Sequence, residues 1–214
     1  MTLKFHRRAL VLATAVAGTI AARPSVLLAA LAPTPRQSAG PFYPLSLPLD
    51  HDNDLVQVAG RLDPSLGIIV HVGGRVFDLN GRAVAGARVE IWQCDANGRY
   101  LHPGDGNPAP RDDGFQGYGQ SISADDGAYR FRTIKPVPYP GRTPHIHFAV
   151  SGAGLETLVT QMYLAGEPLN ERDGLYNRID VTERALVTVA FEPAPEIEAG
   201  ALKAMFDIVL DGSG

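Results

Sequence analysis

The feature that most constrains this chain is a succession of short alternating apolar runs, each bounded by a tight-turn dipeptide. Residues 67–77 (GIIVHVGGRVF) lead to Asn80-Gly81, and residues 88–94 (RVEIWQC) lead to Asn97-Gly98. Residues 129–134 (YRFRTI) follow Asp126-Gly127. Glycine in these pairs accepts the positive φ that a two-residue hairpin requires, so each pair reverses the chain between strands. Further strand-like runs lie at 145–150 (HIHFAV), 158–163 (LVTQMY), 186–191 and 205–210. No segment holds a 3.6-residue apolar period over three turns, and the only helical turn expected follows Glu198. The pattern predicts an all-β fold, an antiparallel β-sandwich core with long functional loops. Residues 101–120 (LHPGDGNPAPRDDGFQGYGQ) read as the longest such loop, of the kind that carries function on a rigid scaffold.

Three segments are expected along the 214 residues. Residues 1–32 read as an export signal, in which MTLKFHRR leads into an Ala-rich apolar stretch. The adjacent Arg7 and Arg8 fit twin-arginine export, and Ala30-Leu31-Ala32 has the form of a cleavage site. The mature chain is therefore expected to be periplasmic or extracellular, with no membrane span. Residues 33–60, rich in Pro, Asp and Asn, read as an extended arm packed on the domain. Residues 61–214 form the β-sandwich domain. A net charge of −4 gives no reason to expect a nucleic-acid partner. The single cysteine, Cys94, excludes an internal disulfide and a thiolate zinc cluster.

His145 and His147 stand two apart in a strand-like run, so both imidazoles project to one face while Ile146 faces the other way. A bare His-x-His is more often a hydrogen-bonded polar pair than a pair of metal ligands. Its surroundings shift that balance. Tyr139 lies between Pro138 and Pro140, which stiffen the backbone and keep it out of a helix. Tyr100 follows the Asn97-Gly98 turn and opens the long loop. Two phenolates and one hydroxide would balance a +3 cation, and anionic oxygen suits a hard ion, so the set Tyr100, Tyr139, His145 and His147 points to Fe(III). Zinc with two histidines more typically recruits a carboxylate.

The runs VEIWQCDANGRYLH, GFQGYG, DDGAYRFRTIKPVPYPGRTPHIHF and LVTQMYLAGEP resemble the intradiol ring-cleavage dioxygenases, particularly the protocatechuate 3,4-dioxygenase branch. The resemblance spans about residues 60–169, and the arm sequence TPRQSAGPFYP is also family-like. It implies that Tyr100 and His145 are equatorial iron ligands and that Tyr139 and His147 are axial, with hydroxide in the fifth place. It further implies that catechol binding displaces Tyr139, which then accepts a proton. Ring cleavage between the two hydroxyl-bearing carbons with O2 would give a cis,cis-muconate-type diacid. By the same resemblance, Arg142 stabilises charge developing on the substrate and Gln161 lies near the reacting oxygen. Taken by themselves, Arg142 also reads as a solvated loop charge and Gln161 as a strand brace.

One departure from the family stands out. Only five residues separate Tyr139 from His145, where better-known members carry a longer insertion. The short loop implies a more open site and leaves the position of Arg142 less determined. The expected partners are a catechol and O2, with the chain acting as a monomer or homo-oligomer. An expectation of a different class is a secreted, non-catalytic β-sandwich module that binds aromatics or a surface partner; a third is a zinc or copper hydrolase or oxidase.

Overall fold

The computed structural model describes residues 31–152 and 154–211. The expected export signal lies outside the described residues except for its last two. Ten strands run through the described residues: β1 (Ile69–Asp78), β2 (Arg88–Trp92), β3 (Tyr118–Ile122), β4 (Ala128–Ile134), β5 (His145–Gly152), β6 (Leu155–Leu164), β7 (Thr188–Val189), β8 (Glu192–Pro193), β9 (Leu202–Met205) and β10 (Ile208–Leu210). They form two sheets. In the first, β1 pairs antiparallel with β4 and parallel with both β9 and β10, while β8 extends β9. In the second, the order is β3-β2-β5-β6-β7, antiparallel except for the short β6–β7 pairing.

Alternation along the strands builds the core between the sheets. Val70, Val72 and Val76 of β1, Phe131 of β4, and Ile146, Phe148 and Val150 of β5 are all essentially inaccessible and belong to one apolar cluster. Truncating a ring such as that of Phe148 would cost about 3–5 kcal/mol through lost burial and the cavity left behind. Gly74 has no room for a side chain, because a Cβ there would come within 2.0 Å of the Phe206 carbonyl oxygen.

The all-β expectation holds, with four differences of detail. Residues 118–120, expected in the long loop, begin β3, which pairs with β2 from Tyr118↔Trp92 to Ile122↔Arg88. The run 205–210 divides into β9 and β10, because the Phe206 N–H turns to the Gly73 carbonyl. The run 186–191 supplies only the two-residue β7. After Glu198 the chain makes turns without helix; the helical segments described are single 3-10 turns at Pro168–Arg172, Tyr176–Arg178 and Arg184–Leu186. Glu167 starts the first of these by accepting the Leu169 N–H at 3.1 Å. No described helix is long and apolar enough to cross a membrane.

Residues 33–60 contain no strand of their own and are tied to both sheets. Thr34 N donates to Val209 O (3.0 Å), Gln37 N to Val159 O (2.8 Å) and Leu55 N to Arg132 O (2.8 Å). Leu55 and Val56 are fully buried in the core cluster. Gly119 permits this crossing: a Cβ there would lie 2.5 Å from the Asp52 carbonyl oxygen.

Candidate active site

Strand register places the first part of the site. Trp92 of β2 pairs with His147 of β5, which pairs with Gln161 of β6, while His145 pairs with Tyr163. Directly paired residues share a face, so these side chains line the outer face of the second sheet while Ile146 and Phe148 enter the core. Both histidines are buried, and their Nε2 atoms stand 3.2 Å apart. His145 Nδ1 faces the Thr143 carbonyl at 2.7 Å, which fixes its proton on Nδ1 and leaves an Nε2 lone pair. Burial, reinforced by Arg142, pushes His145 down to about 4. Burial, then His145 and Arg142, holds His147 well below the usual imidazole range. Two neutral rings therefore aim nitrogen at a common point. Trp92 lies flat on His147, with ring centroids 4.8 Å apart and an interplanar angle of 5°, so the second ring cannot swing on that side.

Two phenols face this point. Tyr139 begins a tight turn, Tyr139-Pro140-Gly141-Arg142, closed by Arg142 N donating to Tyr139 O at 2.9 Å. Proline fixes φ at the second position, and Gly141 at φ +84° supplies the left-handed third position of a type II turn. Tyr100 is held from behind: Asp95 accepts the N–H groups of Asn97 and Arg99 at 2.9 and 3.0 Å, and Asp105 accepts the Tyr100 N–H at 2.6 Å. The two tyrosine rings meet edge to face at 5.4 Å. Tyr100 is only 3% exposed, and its hydroxyl has no hydrogen-bond partner among the described residues. Burial, then the neighbouring Tyr139, raises its ionisation well above the phenol range. Burial raises Tyr139 as well, with Arg142 opposing. Neither phenol would ionise near neutrality without a strong cation beside it.

Arg142 completes the cluster. Its Nη1 lies 3.4 Å from the Tyr139 hydroxyl, its Nη2 donates to Gln161 Oε1 at 2.5 Å, and its Nε donates to Asp173 at 2.8 Å. The short loop thus brings Arg142 to Tyr139 through the turn itself. The Asp173 side chain is fully buried and also accepts the Thr143 N–H at 2.9 Å. Burial works to raise its carboxyl, but the backbone N–H groups of Tyr176 and Thr143, with Arg142, outweigh this and hold it low. Gln161 is held at both ends of its amide. Its Oε1 takes Arg142 and the Tyr163 hydroxyl (3.1 Å), and its Nε2 donates to Ser38 O at 3.0 Å.

The arm forms the roof. Phe42 packs on Tyr100 at 4.7 Å and approaches Tyr139 at 6.3 Å. Gly40, at φ +68°, sits so that a Cβ would touch His147 Cε1 at 3.4 Å. All six side chains singled out in the sequence therefore gather in one place. His102 packs on Phe42 and makes no described contact with either histidine. Sequence reasoning missed Asp173, Tyr163 and the roof residues. For the roof the only signal was the arm motif, and for Asp173 there was none.

The donor set suits a metal of a particular kind. Among the described residues no three His, Cys, Asp or Glu side chains gather as a metal-binding group. The four converging groups are two imidazole nitrogens and two phenols, one of them buried without a partner, and these fit a hard, highly charged cation.

The known proteins that this chain resembles are dioxygenases. The Dioxygenase_C family model, described as a dioxygenase, matches residues 39–212. The protocatechuate 3,4-dioxygenase beta chain of Burkholderia cepacia is 40% identical over 173 residues, covering 77% of this chain and 73% of its own. The catechol 1,2-dioxygenase of Candida albicans is 33% identical over 156 residues, and the matched region spans 64% of this chain but only 49% of that relative. Among solved structures, the dioxygenase domain of a dioxygenase–carbohydrate-binding fusion from Streptomyces sp. SirexAA-E superposes with a TM-score of 0.66 at 30% identity. It covers 85% of this chain and 100% of that one.

Proposed function

Because this chain belongs to the intradiol ring-cleavage dioxygenase family, we propose that it is a non-haem Fe(III) enzyme that opens a catechol with O2 between its hydroxyl-bearing carbons to a cis,cis-muconate-type diacid. The observation that carries the reading is the convergence of the two histidine Nε2 atoms, 3.2 Å apart, with two phenols beside an arginine. Tyr100, Tyr139, His145 and His147 would hold the metal. When bound, Fe(III) would draw electron density from a catecholate and make a ring carbon reactive toward O2.

The remaining tasks fall to the chain. Tyr100, almost wholly buried, is the phenol built to stay in place. Tyr139 is less buried, between exposed prolines, and is the one free to release its donor role and accept a catechol proton. Arg142 presents guanidinium N–H groups 3.4 Å from that hydroxyl, where negative charge would gather, and Asp173 and Gln161 fix its orientation. Gly40 lies against His147, and Phe42 covers Tyr100. Export of the folded protein by the twin-arginine route rests on Arg7 and Arg8 alone. Fractionation of Arg7→Lys/Arg8→Lys cells, with the variant retained inside, is the expected result.

The test is oxygen uptake with product identification across catechol, protocatechuate, hydroxyquinol and bulkier catechols. One O2 consumed per ring and a muconate-type product are expected from at least one of them. Iron-loaded protein should be burgundy from tyrosinate-to-Fe(III) charge transfer, and Tyr139→Phe should alter that band. Colourless iron-replete protein would sink the assignment. No uptake with any catechol despite bound iron would leave the aromatic-binding module in its place.

A further inference from the structure

The backbone just ahead of His145 is held by side chains, not by the sheet. Pro144 has no N–H to offer a neighbouring strand, and β5 begins only at His145. Thr143 is nevertheless buried, at 1% exposure, and each of its polar groups is engaged. Its N–H donates to Asp173 Oδ2 at 2.9 Å and its hydroxyl to Asn170 Oδ1 at 2.8 Å. Its carbonyl accepts His145 Nδ1–H at 2.7 Å. A residue before proline is also confined to extended backbone. The direction of that carbonyl is therefore set from residues 170 and 173, and the carbonyl in turn orients the His145 ring.

Asn170 has a defined part in this. Its Nδ2 donates to the Leu164 carbonyl at 2.8 Å, which orients the amide and leaves Oδ1 as the acceptor for Thr143. Asp173 belongs to the same turn, its N–H donating to Asn170 O at 3.2 Å. Asn177 Nδ2 ties the turn from outside, donating to Glu171 O at 2.9 Å and to Asp173 O at 3.0 Å. Asp173 Oδ1 takes the N–H groups of Leu175 and Tyr176, both at 2.9 Å, and Oδ2 serves Arg142 Nε and Thr143 N together. One buried turn thus reaches both a histidine of the donor set and the arginine beside it.

We propose that Asn170 is a positioning residue for His145, acting through Thr143, and that the turn carrying Asn170 and Asp173 aims His145 and Arg142 as one unit. What these two groups do rests on the function proposed above; how they are held does not, and it is read in the metal-free full chain. The probe is nuclear magnetic resonance of protein labelled with 15N histidine and arginine. In the wild type, the His145 Nδ1–H proton is expected downfield and slow to exchange with water. Thr143→Val, which keeps the shape and removes the hydroxyl, and Asn170→Ala, which removes its acceptor, should each speed that exchange by about tenfold or more. Thr143→Ser, which retains the hydroxyl, should restore the slow exchange. Asp173→Asn, whose amide cannot accept at both ends, should speed exchange at His145 Nδ1–H and Arg142 Nε–H together. Val72→Ala, a truncation of the core from β1, should leave both protons as they are. Fe(III) retention against a chelator should fall by about tenfold or more in Thr143→Val and Asn170→Ala. Slow exchange kept at His145 in both of those variants overturns the proposal, as does equal acceleration in Val72→Ala, which would mean general loosening. A wild type that cleaves no catechol would sink the dioxygenase reading and leave these exchange rates as they are.

Discussion

The outer faces of the two sheets each carry a cluster of polar side chains crossed by the same arm, yet the clusters are built on opposite terms. On the first sheet, Arg132 donates to Glu198 at 2.6 and 2.8 Å and to Asp54 of the arm at 3.2 Å, and His71 meets Glu198 at 3.0 Å. Every charge there is answered by another. On the second sheet, the Tyr100 hydroxyl and His147 Nδ1 are buried without partners, and two imidazole nitrogens point at one another. A self-satisfied network contributes stability and needs nothing further. A buried set with open valences carries a standing cost that only a ligand removes. The contrast supports the second face, and not the more heavily charged first one, as the site of the proposed chemistry.

The largest effect that would sharpen this contrast is expected from His147→Ala. Metal affinity should fall by more than about 100-fold, the upper range for loss of a mere outer partner, while Glu198→Gln leaves metal content untouched. Elemental analysis after dialysis against a chelator reads both, and a His147→Ala protein that keeps its metal breaks the comparison. Next comes Arg142→Met, which strands the buried Asp173 carboxylate and should cost about 3–5 kcal/mol in urea unfolding. Adding Asp173→Asn should recover much of the stability but none of the turnover, which would separate the structural part of Arg142 from its chemical part.

A smaller effect belongs to the first sheet. Arg132 holds the Glu198 carboxyl down at about 2, against an ordinary 4.5. The unfolded chain therefore binds the proton more readily, and the stabilisation is complete above about 4.5 and lost as pH falls toward about 2. Partial exposure limits it to about 2 kcal/mol. Glu198→Gln should lose that amount at neutral pH and flatten the acid limb of a stability–pH curve; an unchanged acid limb would mean the ion pair contributes nothing. The smallest effect, about 1 kcal/mol, is expected for Gly40→Ala, from its left-handed backbone. Because the new methyl would only touch His147, at 3.4 Å, the visible band of iron-loaded protein should stay where it is unless the strained backbone shifts the arm.

The parts of the molecule that were legible in the sequence are those whose information is local. β1, β2, β4, β5 and β6 declare themselves by alternation and turn glycines, and His145, His147, Tyr139 and Arg142 lie within nine residues of one another. β3 was hidden because Gly117 and Gly119 lower its strand propensity, and Gly119 is there to admit the arm backbone, a long-range reason. Asp173 stands 31 residues beyond Arg142, in a 3-10 region with no pattern of its own. The parallel pairing of β9 and β10 with β1 joins chain ends that no local rule connects. That Trp92 lies flat on His147 follows from strand register, which spacing alone does not supply.

The roof over His147 has a consequence for how the site behaves on dilution. Gln37, Ser38, Gly40 and Phe42 belong to the same polypeptide as the groups they cover, tethered by bonds to Val159, Gln161 and Tyr163. Closing that roof is a unimolecular event, governed by the local concentration a tether creates and not by how much protein is in solution. The roof should therefore stay closed over His147 alike at micromolar and nanomolar protein.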